Sequence, residues 1–352
     1  MNVKIIEELN EDFFSAWLEL HERAINKNFF LSPKWIKSVL NATENKTKLK
    51  VICVHNNGDI VCALPLKIET KTILGSKVKV LGSCSGRESD YKGLLIAKGI
   101  DEIKATKLIA SEIVKIKDLW DVFEVRDLNS LDSNINRVIE LVLSSKSIRG
   151  FKNLDEVVTQ SQCGEISFNK KNRWEIRKNT KNLSDTGPVE IEHSDKITKT
   201  EIKDLLLTRA RNYPDGNDFV TEEAQEHLSN IILDQAKQGG VLYSKLTLNG
   251  KVLACHVGFV DRECFYYYMP VFDKSYAEFS PGKILLNDIF EYCKRQNLIT
   301  FDFLRGGESY KWGWSKKVSY NYSVYLVNED SNLTSKVYVA LHKLKEVRKI
   351  FH

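Results

Sequence analysis

The sequence predicts a mixed α/β fold built twice over. Three observations carry that expectation. The chain has 352 residues, more than one hydrophobic core usually serves, so two domains of roughly 100–200 residues each are expected. Asn56-Asn57-Gly58 and Asn249-Gly250 lie between β-type runs and mark tight hairpins. Both halves then repeat one order of elements, namely helices, antiparallel meander, helix and strand, without residue-level identity. The domains are placed at 1–167 and 168–330, followed by a C-terminal helix over 331–352.

In the first half, Phe13, Phe14, Trp17, Leu18 and Leu20 give an apolar face to a helix from Glu11 to Ile25. Ser32-Pro33 opens a second helix to Leu40, because a serine cap and a proline at the first helical position suit the unpaired amides there. Strands follow from Leu49 to His55, Ile60 to Ile68, Lys77 to Leu81 and Leu94 to Ala97, then a helix from Asp101 to Ile116 and a strand from Trp120 to Val125. The boundary is set near Phe168, where a strand-like run from Glu156 to Ser167 gives way to a helix from Asn169 to Leu183 dominated by Lys170, Lys171, Arg173, Arg177, Lys178 and Lys181. Such a helix is either a solvated face or a contact for a phosphate-rich ligand. The second half has helices from Lys196 to Arg211 and Glu222 to Gln238, then strands from Val241 to Leu248, Val252 to Val260 and Cys264 to Met269. After a loop come a helix from Gly282 to Gln296, a strand from Ile299 to Leu304 and a last strand from Tyr320 to Val327. Ser335 to Phe351 reads as a basic amphipathic helix with Val339, Leu341, Leu344, Val347 and Ile350 on its apolar face, docked on the protein body or attached peripherally to an anionic membrane.

A net charge of +5 suits phosphate-bearing ligands without demanding nucleic acid, and no DNA partner is expected. Seven scattered cysteines, with no C-x-x-C pair and no histidine at ligand spacing, read as buried free thiols in a reducing compartment, and no metal is expected. The opening MNVKIIEELNEDFF lacks a basic region followed by an apolar core, and no run reaches the roughly 18–20 apolar residues of a membrane span. A cytoplasmic protein, with contact to the inner face of the membrane as an option, is the expectation.

The densest chemistry lies in TFDFLRGGESYKWGW, Thr300 to Trp314. On a strand, Ile299, Phe301 and Phe303 point one way and Asp302 and Leu304 the other, and Gly306-Gly307 then bends the chain, so the polar groups gather at a strand end where ligand crevices form. General-base chemistry needs a carboxylate or histidine, which selects Glu308, Asp302 and His256, with Tyr310 beside Glu308. A cleft is expected to desolvate Glu308, whereas Asp302 has a structural alternative in pairing with Arg305 or Lys311. His256, on an otherwise apolar strand, is either a core residue or a cleft base. Arg305 and Lys311 suit anionic groups such as the phosphates of a nucleotide-sugar or lipid-linked sugar. Ser280-Pro281-Gly282-Lys283 opens a helix whose amides bind anions, with Gly282 permitting close approach and Lys283 adding charge; Ser280 serves equally as a cap. The Gly-Lys pair lacks the rest of a Walker motif. Tyr267 lies on the face opposite Tyr266 and Tyr268, and an aromatic hydroxyl facing the cleft can donate a proton or hold a polar ligand. His193 is placed in a polar loop, and no Ser-His-Asp or Cys-His constellation is evident, so a direct mechanism is expected over a covalent enzyme intermediate.

The spacing Asp302, Arg305, Gly306, Glu308, Tyr310, Lys311 resembles the D-x-x-R-G-x-E-x-Y-K signature of CelD-type acyltransferases, a tandem GNAT family distantly related to the FemABX aminoacyl transferases. Ser32-Pro33-Lys34-Trp35, Leu64-Pro65-Leu66 and Ser89-Asp90-Tyr91 resemble first-half elements of the same family. The resemblance implies two tandem GNAT-like domains and an N-acyltransferase acting on an amino sugar or sugar precursor of a surface polysaccharide. It implies acetyl-CoA or another acyl-CoA as co-substrate, held where two neighbouring strands splay apart, with Ser280 to Lys283 and Tyr268 on the donor. Arg305, Lys311, Tyr267, Asp90 and Tyr91 then face the acceptor, the last two from a cleft between domains. A FemABX-like enzyme using aminoacyl-tRNA and a non-catalytic polysaccharide-assembly factor are the alternatives. Acyl-CoA binding separates the first reading from both.

Overall fold

The structure is a computed structural model describing residues 1–43, 48–163, 170–213, 221–315 and 317–350. Phe168 at the expected boundary, Asn169 and Phe351 lie outside the described residues, as do the side chains of Lys170, Lys171, Val347 and Ile350. In chain order the elements begin with β1 (Asn2–Ile6), α1 (Glu11–Arg23), α2 (Pro33–Ala42), β2 (Lys48–Leu49), β3 (Val51–Asn56), β4 (Asp59–Leu64), β5 (Leu66–Ile73), β6 (Ser76–Ser83) and β7 (Leu95–Ile96). Next come α3 (Glu102–Lys115), β8 (Val122–Asn129), α4 (Ser133–Leu143), β9 (Ile148–Gln162), α5 (Lys170–Ser184), β10 (Val189–Ser194), α6 (Lys199–Asn212) and α7 (Glu222–Lys237). The remainder is β11 (Val241–Leu248), β12 (Lys251–Asp261), β13 (Cys264–Phe272), α8 (Pro281–Arg295), β14 (Thr300–Arg305), α9 (Ser309–Trp312), β15 (Lys317–Asn328) and α10 (Leu333–Ile350).

The chain forms two compact units, Met1–Glu156 with Ser319–His352, and Val157–Val318. In the first unit, β1-β3-β4-β7 make one antiparallel sheet and β9-β15-β8-β6-β5-β2 follow in order in another. Ser32 Oγ accepts from Trp35 N at 3.2 Å and Pro33 stands in the first turn of α2, as the sequence predicts. The expected strand from Ile60 to Ile68 is instead divided at Pro65, which has no N–H to give a ladder. Helix α10 docks through Tyr338, Val339 and His342. The Tyr338 hydroxyl donates to Glu124 Oε2 at 2.7 Å, and the His342 ring stacks on Tyr325 at 4.5 Å. Leu341 and Leu344 of the expected apolar face are exposed, whereas Val339 packs into a cluster with Val78, Val80, Val122, Tyr325 and Val327.

The second unit orders its strands β10-β11-β12-β13-β14-β9. Asn249 and Gly250 both adopt positive φ, 51° and 76°, the conformation that a two-residue hairpin needs. One face of the sheet buries Phe265, Tyr267, Phe301 and Phe303 against α8. There the Phe290 ring lies 3.8 Å from Phe301 and 5.1 Å from Trp314, near-parallel to both. Asp302 is also buried and, by strand alternation, takes the opposite face.

Candidate active site

Strands β13 and β14 run parallel, but their pairing is confined to Cys264↔Thr300, Phe265↔Phe301 and Tyr266↔Asp302. Both strands continue beyond that point, to Phe272 and Arg305. Backbone groups of Tyr267 onward and Phe303 onward are therefore not joined to one another in a ladder. The chain then turns into α8. Ser280 stands at its entry with φ 50°, and its side chain makes no cap hydrogen bond, so the capping role allowed for Ser280 is overturned. Gly282 follows Pro281, and a Cβ added there meets only Phe272, at an ordinary 3.6 Å. Packing within the protein does not require this glycine. Lys283 Nζ sits 2.8 Å from Glu175 Oε1 of α5, so its charge is already paired. Tyr268 is half-buried, its ring tilted against Phe259 at 5.0 Å.

Tyr267 and His256 meet on the α8 side of the sheet. Their rings stack at 4.1 Å with 9° between planes. His256 is fully buried, and among the described residues neither ring nitrogen meets a hydrogen-bond partner. Burial, reinforced by nearby His193, holds its pKa well below the usual histidine value, so the ring is neutral. A Cβ at Gly258 would lie 2.6 Å from His256 Cε1 and 2.5 Å from Phe265 Cζ, so a glycine there makes room for both rings.

The end of β14 is a folded turn. Asp302 is buried, with Oδ2 accepting from Gln160 Nε2 at 2.6 Å and Oδ1 accepting from Leu304 N at 2.7 Å. The second bond supports Leu304 in a left-handed conformation, φ 59°. Gly306 has φ 110°, and a Cβ there would lie 2.3 Å from Glu308 Oε2, so the carboxylate folds over a position open only to glycine. Glu308 Oε2 is 2.8 Å from Lys311 Nζ, and the Glu308 side chain is 56% exposed. The expected desolvation of Glu308 does not occur, because it faces solvent and pairs with a lysine. Lys311, in contrast, is buried; its Nζ also donates to Arg305 O at 2.7 Å and Gly306 O at 3.3 Å. That ammonium ties the turn together, which corrects its assignment to the acceptor's charge. Arg305 is half-buried and has its own interactions.

Burial raises the pKa of both Tyr267 and Tyr310, and Glu308 and Tyr213 add to the effect on each. Tyr267, Glu308 and Tyr310 thus form one electrostatic neighbourhood. Asp90 and Tyr91 belong to the first unit and are buried there. Tyr91 packs edge-on to Phe30 at 5.9 Å, and Asp90 O accepts from Asn321 Nδ2 at 3.0 Å.

Two groups escape the sequence reading. His193 lies on β10, not in a loop, and joins Ser244 Oγ through Nδ1 and Asp288 Oδ1 through Nε2, both at 2.8 Å. A Ser-His-Asp chain is therefore present, but Ser244 is fully buried and cannot meet a substrate as a nucleophile. The alternation Val189, Ile191, His193 signals the strand, whereas the partner on α8 has no local sign. Arg209 and Tyr213, at the end of α6, are the second group. Among the described residues no group of three metal-ligating side chains is found, and no described helix is long and apolar enough to cross a membrane.

Residues 170–312 match the family model of the acetyltransferase (GNAT) domain. No curated protein matches the chain. Among solved structures, FemX has a TM-score of 0.62 at 10% identity, covering 98% of this chain and 100% of that one. The L-PGS from Bacillus licheniformis has a TM-score of 0.57 at 11% identity, covering 96% and 98%. A tandem GNAT protein from the clavulanic acid biosynthesis pathway has a TM-score of 0.53 at 12% identity, covering 94% and 100%. At these identities the likeness is one of fold. The chain has a mixed α/β fold with a GNAT domain, and that domain supports an acyltransferase enzyme.

Proposed function

We propose that the protein is a CelD-type N-acyltransferase that moves an acyl group, acetyl in the first instance, from coenzyme A to the amine of an amino sugar or sugar precursor of a surface polysaccharide. The parting of β13 and β14 beyond Tyr266 and Asp302, with the uncapped start of α8 following, carries the donor half of this reading. Backbone groups released by the parting can pair with the amides of a pantetheine arm, and the helix start can take a pyrophosphate. The acceptor nitrogen attacks the thioester carbon, the C–N bond forms and the C–S bond breaks. Glu308 takes the amine proton, and Tyr267 or Tyr310, each kept protonated by burial, hydrogen-bonds the departing thiolate. We place the reaction in the cytoplasm, in keeping with seven unbridged cysteines, with peripheral membrane contact as an option.

An aminoacyl-tRNA donor is the second reading, supported by the FemX-like fold and by α5, which exposes Arg173, Arg177, Lys178 and Lys181 with Trp174. Calorimetric titration with acetyl-CoA decides between them. Gly282→Val should weaken acetyl-CoA binding by about tenfold or more, the equivalent of 1.4 kcal/mol, while its far-ultraviolet circular dichroism matches the native protein. No acetyl-CoA binding to the native protein would favour the tRNA reading, and unchanged affinity in Gly282→Val would remove the α8 start from the donor site.

A further inference from the structure

The cations around the β14 turn are nearly all committed. Lys311 is bound to Glu308 and to turn carbonyls, and Lys283 to Glu175. Lys274 Nζ donates to Asn212 O at 2.8 Å, at the carbonyl end of α6. Arg209 differs. Among the described residues its guanidinium has neither an ion pair nor a hydrogen-bond partner, and its Nε is buried. Its guanidinium lies over the Tyr213 ring, with Cζ 5.6 Å from the ring centre.

The position of Arg209 is fixed by its helix. Asn212 Nδ2 donates to Phe272 O at 2.9 Å, which pins the end of α6 to the end of β13 beyond the parting from β14. Arg209 stands one turn back along α6. Its charge acts on the Tyr310 hydroxyl, and Tyr213 acts on both Tyr267 and Tyr310. The favourable field at a helix C-terminus accounts for a cation in this last turn. It does not account for a buried Nε–H left without an acceptor, which costs free energy unless something satisfies it.

We infer that Arg209 binds an anionic group, a phosphate monoester or a carboxylate, carried by the acceptor whose amine is acylated. This rests on the acyltransfer reading above. A guanidinium offers a planar fork of donors that matches both anions in two-point contact. Held over the Tyr213 ring, on a helix end pinned to β13, it orients the acceptor by its charge while the amine meets the donor.

The test uses the full chain and three amine probes: glucosamine, glucosamine 6-phosphate and 2-amino-2-deoxyglucuronic acid. Each is titrated calorimetrically into native protein and into R209Q, with and without saturating coenzyme A. Native protein should bind at least one anionic probe about tenfold or more tightly than glucosamine, the scale of a hydrogen bond to a charged group. R209Q should lose that preference and keep its glucosamine affinity. The preferred anion tells phosphate from carboxylate. Equal affinity for all three probes in native protein, or an undiminished anionic preference in folded R209Q, would overturn the inference. R209K serves if R209Q fails to fold: it keeps the charge but not the fork, so an anionic preference as strong as the native one would refute two-point recognition. Coenzyme A is titrated separately, so a failure of the donor reading shows there and leaves the Arg209 result standing.

Discussion

Replacing His256 with phenylalanine should relieve an acid sensitivity of the native chain. His256 is fully buried beneath α8 and its pKa is held well below 6.5, first by burial and then by His193. The unfolded chain binds a proton at this histidine near pH 6.5, and the folded chain does not. Below that pH the unfolded state therefore holds more protons, and stability falls as pH falls. Below about pH 6.5 each pH unit removes on the order of 1 kcal/mol at most, the limit for one proton, until the folded ring itself takes up its proton. Above about pH 7.5 the contribution is fully present and constant. Urea unfolding of native protein, H256F and H256L across this range, followed by circular dichroism, measures it. Phenylalanine preserves the stack on Tyr267, and leucine covers the case in which the wider ring meets Gly258. The two variants should share a pH slope shallower than the native one. Parallel slopes for all three proteins would show that His256 takes up its proton in the folded state, and the buried neutral ring would be wrong.

Glu308→Gln should lower turnover by about 10²–10⁴-fold with donor binding retained. Asp302→Asn is the comparison, and a larger loss there would move the base to the strand. Lys311→Met should cost about 2–3 kcal/mol of stability in urea titration, because its buried ammonium holds Glu308 and two carbonyls. A raised acceptor Michaelis constant without that loss would return Lys311 to a direct binding role.

Elements with a local rule were legible. Asn249-Gly250 fixes the β11–β12 hairpin, and Ser32-Pro33 fixes the start of α2. The alternation of Phe301, Asp302 and Phe303 separates core from opposite face as expected. Helix α4 has no counterpart in the sequence reading, although Ile135, Val138, Ile139 and Val142 recur at helical spacing and are all buried. Strand β9 is longer and begins earlier than the expected run from Glu156, because IRGFKNLD carries little alternation. Its Gly150 lies against the backbone of Tyr325, where a Cβ would come within 2.1 Å of the carbonyl oxygen, a constraint that appears only once β15 is in place. In the site, residue types pointed to Glu308 and Lys311, but not to their mutual pairing. A lysine drawn inward by carbonyls looks no different in sequence from one reaching for phosphate. Arg209 has no motif around it, and only the docking of α6 on β13 brings it near Tyr310.

The two-segment make-up of the first unit has a consequence for synthesis. Val157–Val318 is one uninterrupted stretch, so the second unit has all of its residues as soon as Val318 leaves the ribosome. The first unit does not. Strand β15, which pairs with β8 from Asn321↔Asn129 to Val327↔Val122, arrives almost two hundred residues after its partner. Until then β8 has an open edge on that side, a template for wrong pairing. The unit that begins the chain is thus the last to be completed, and a premature stop before Ser319 would leave the second unit whole beside a first unit lacking a strand.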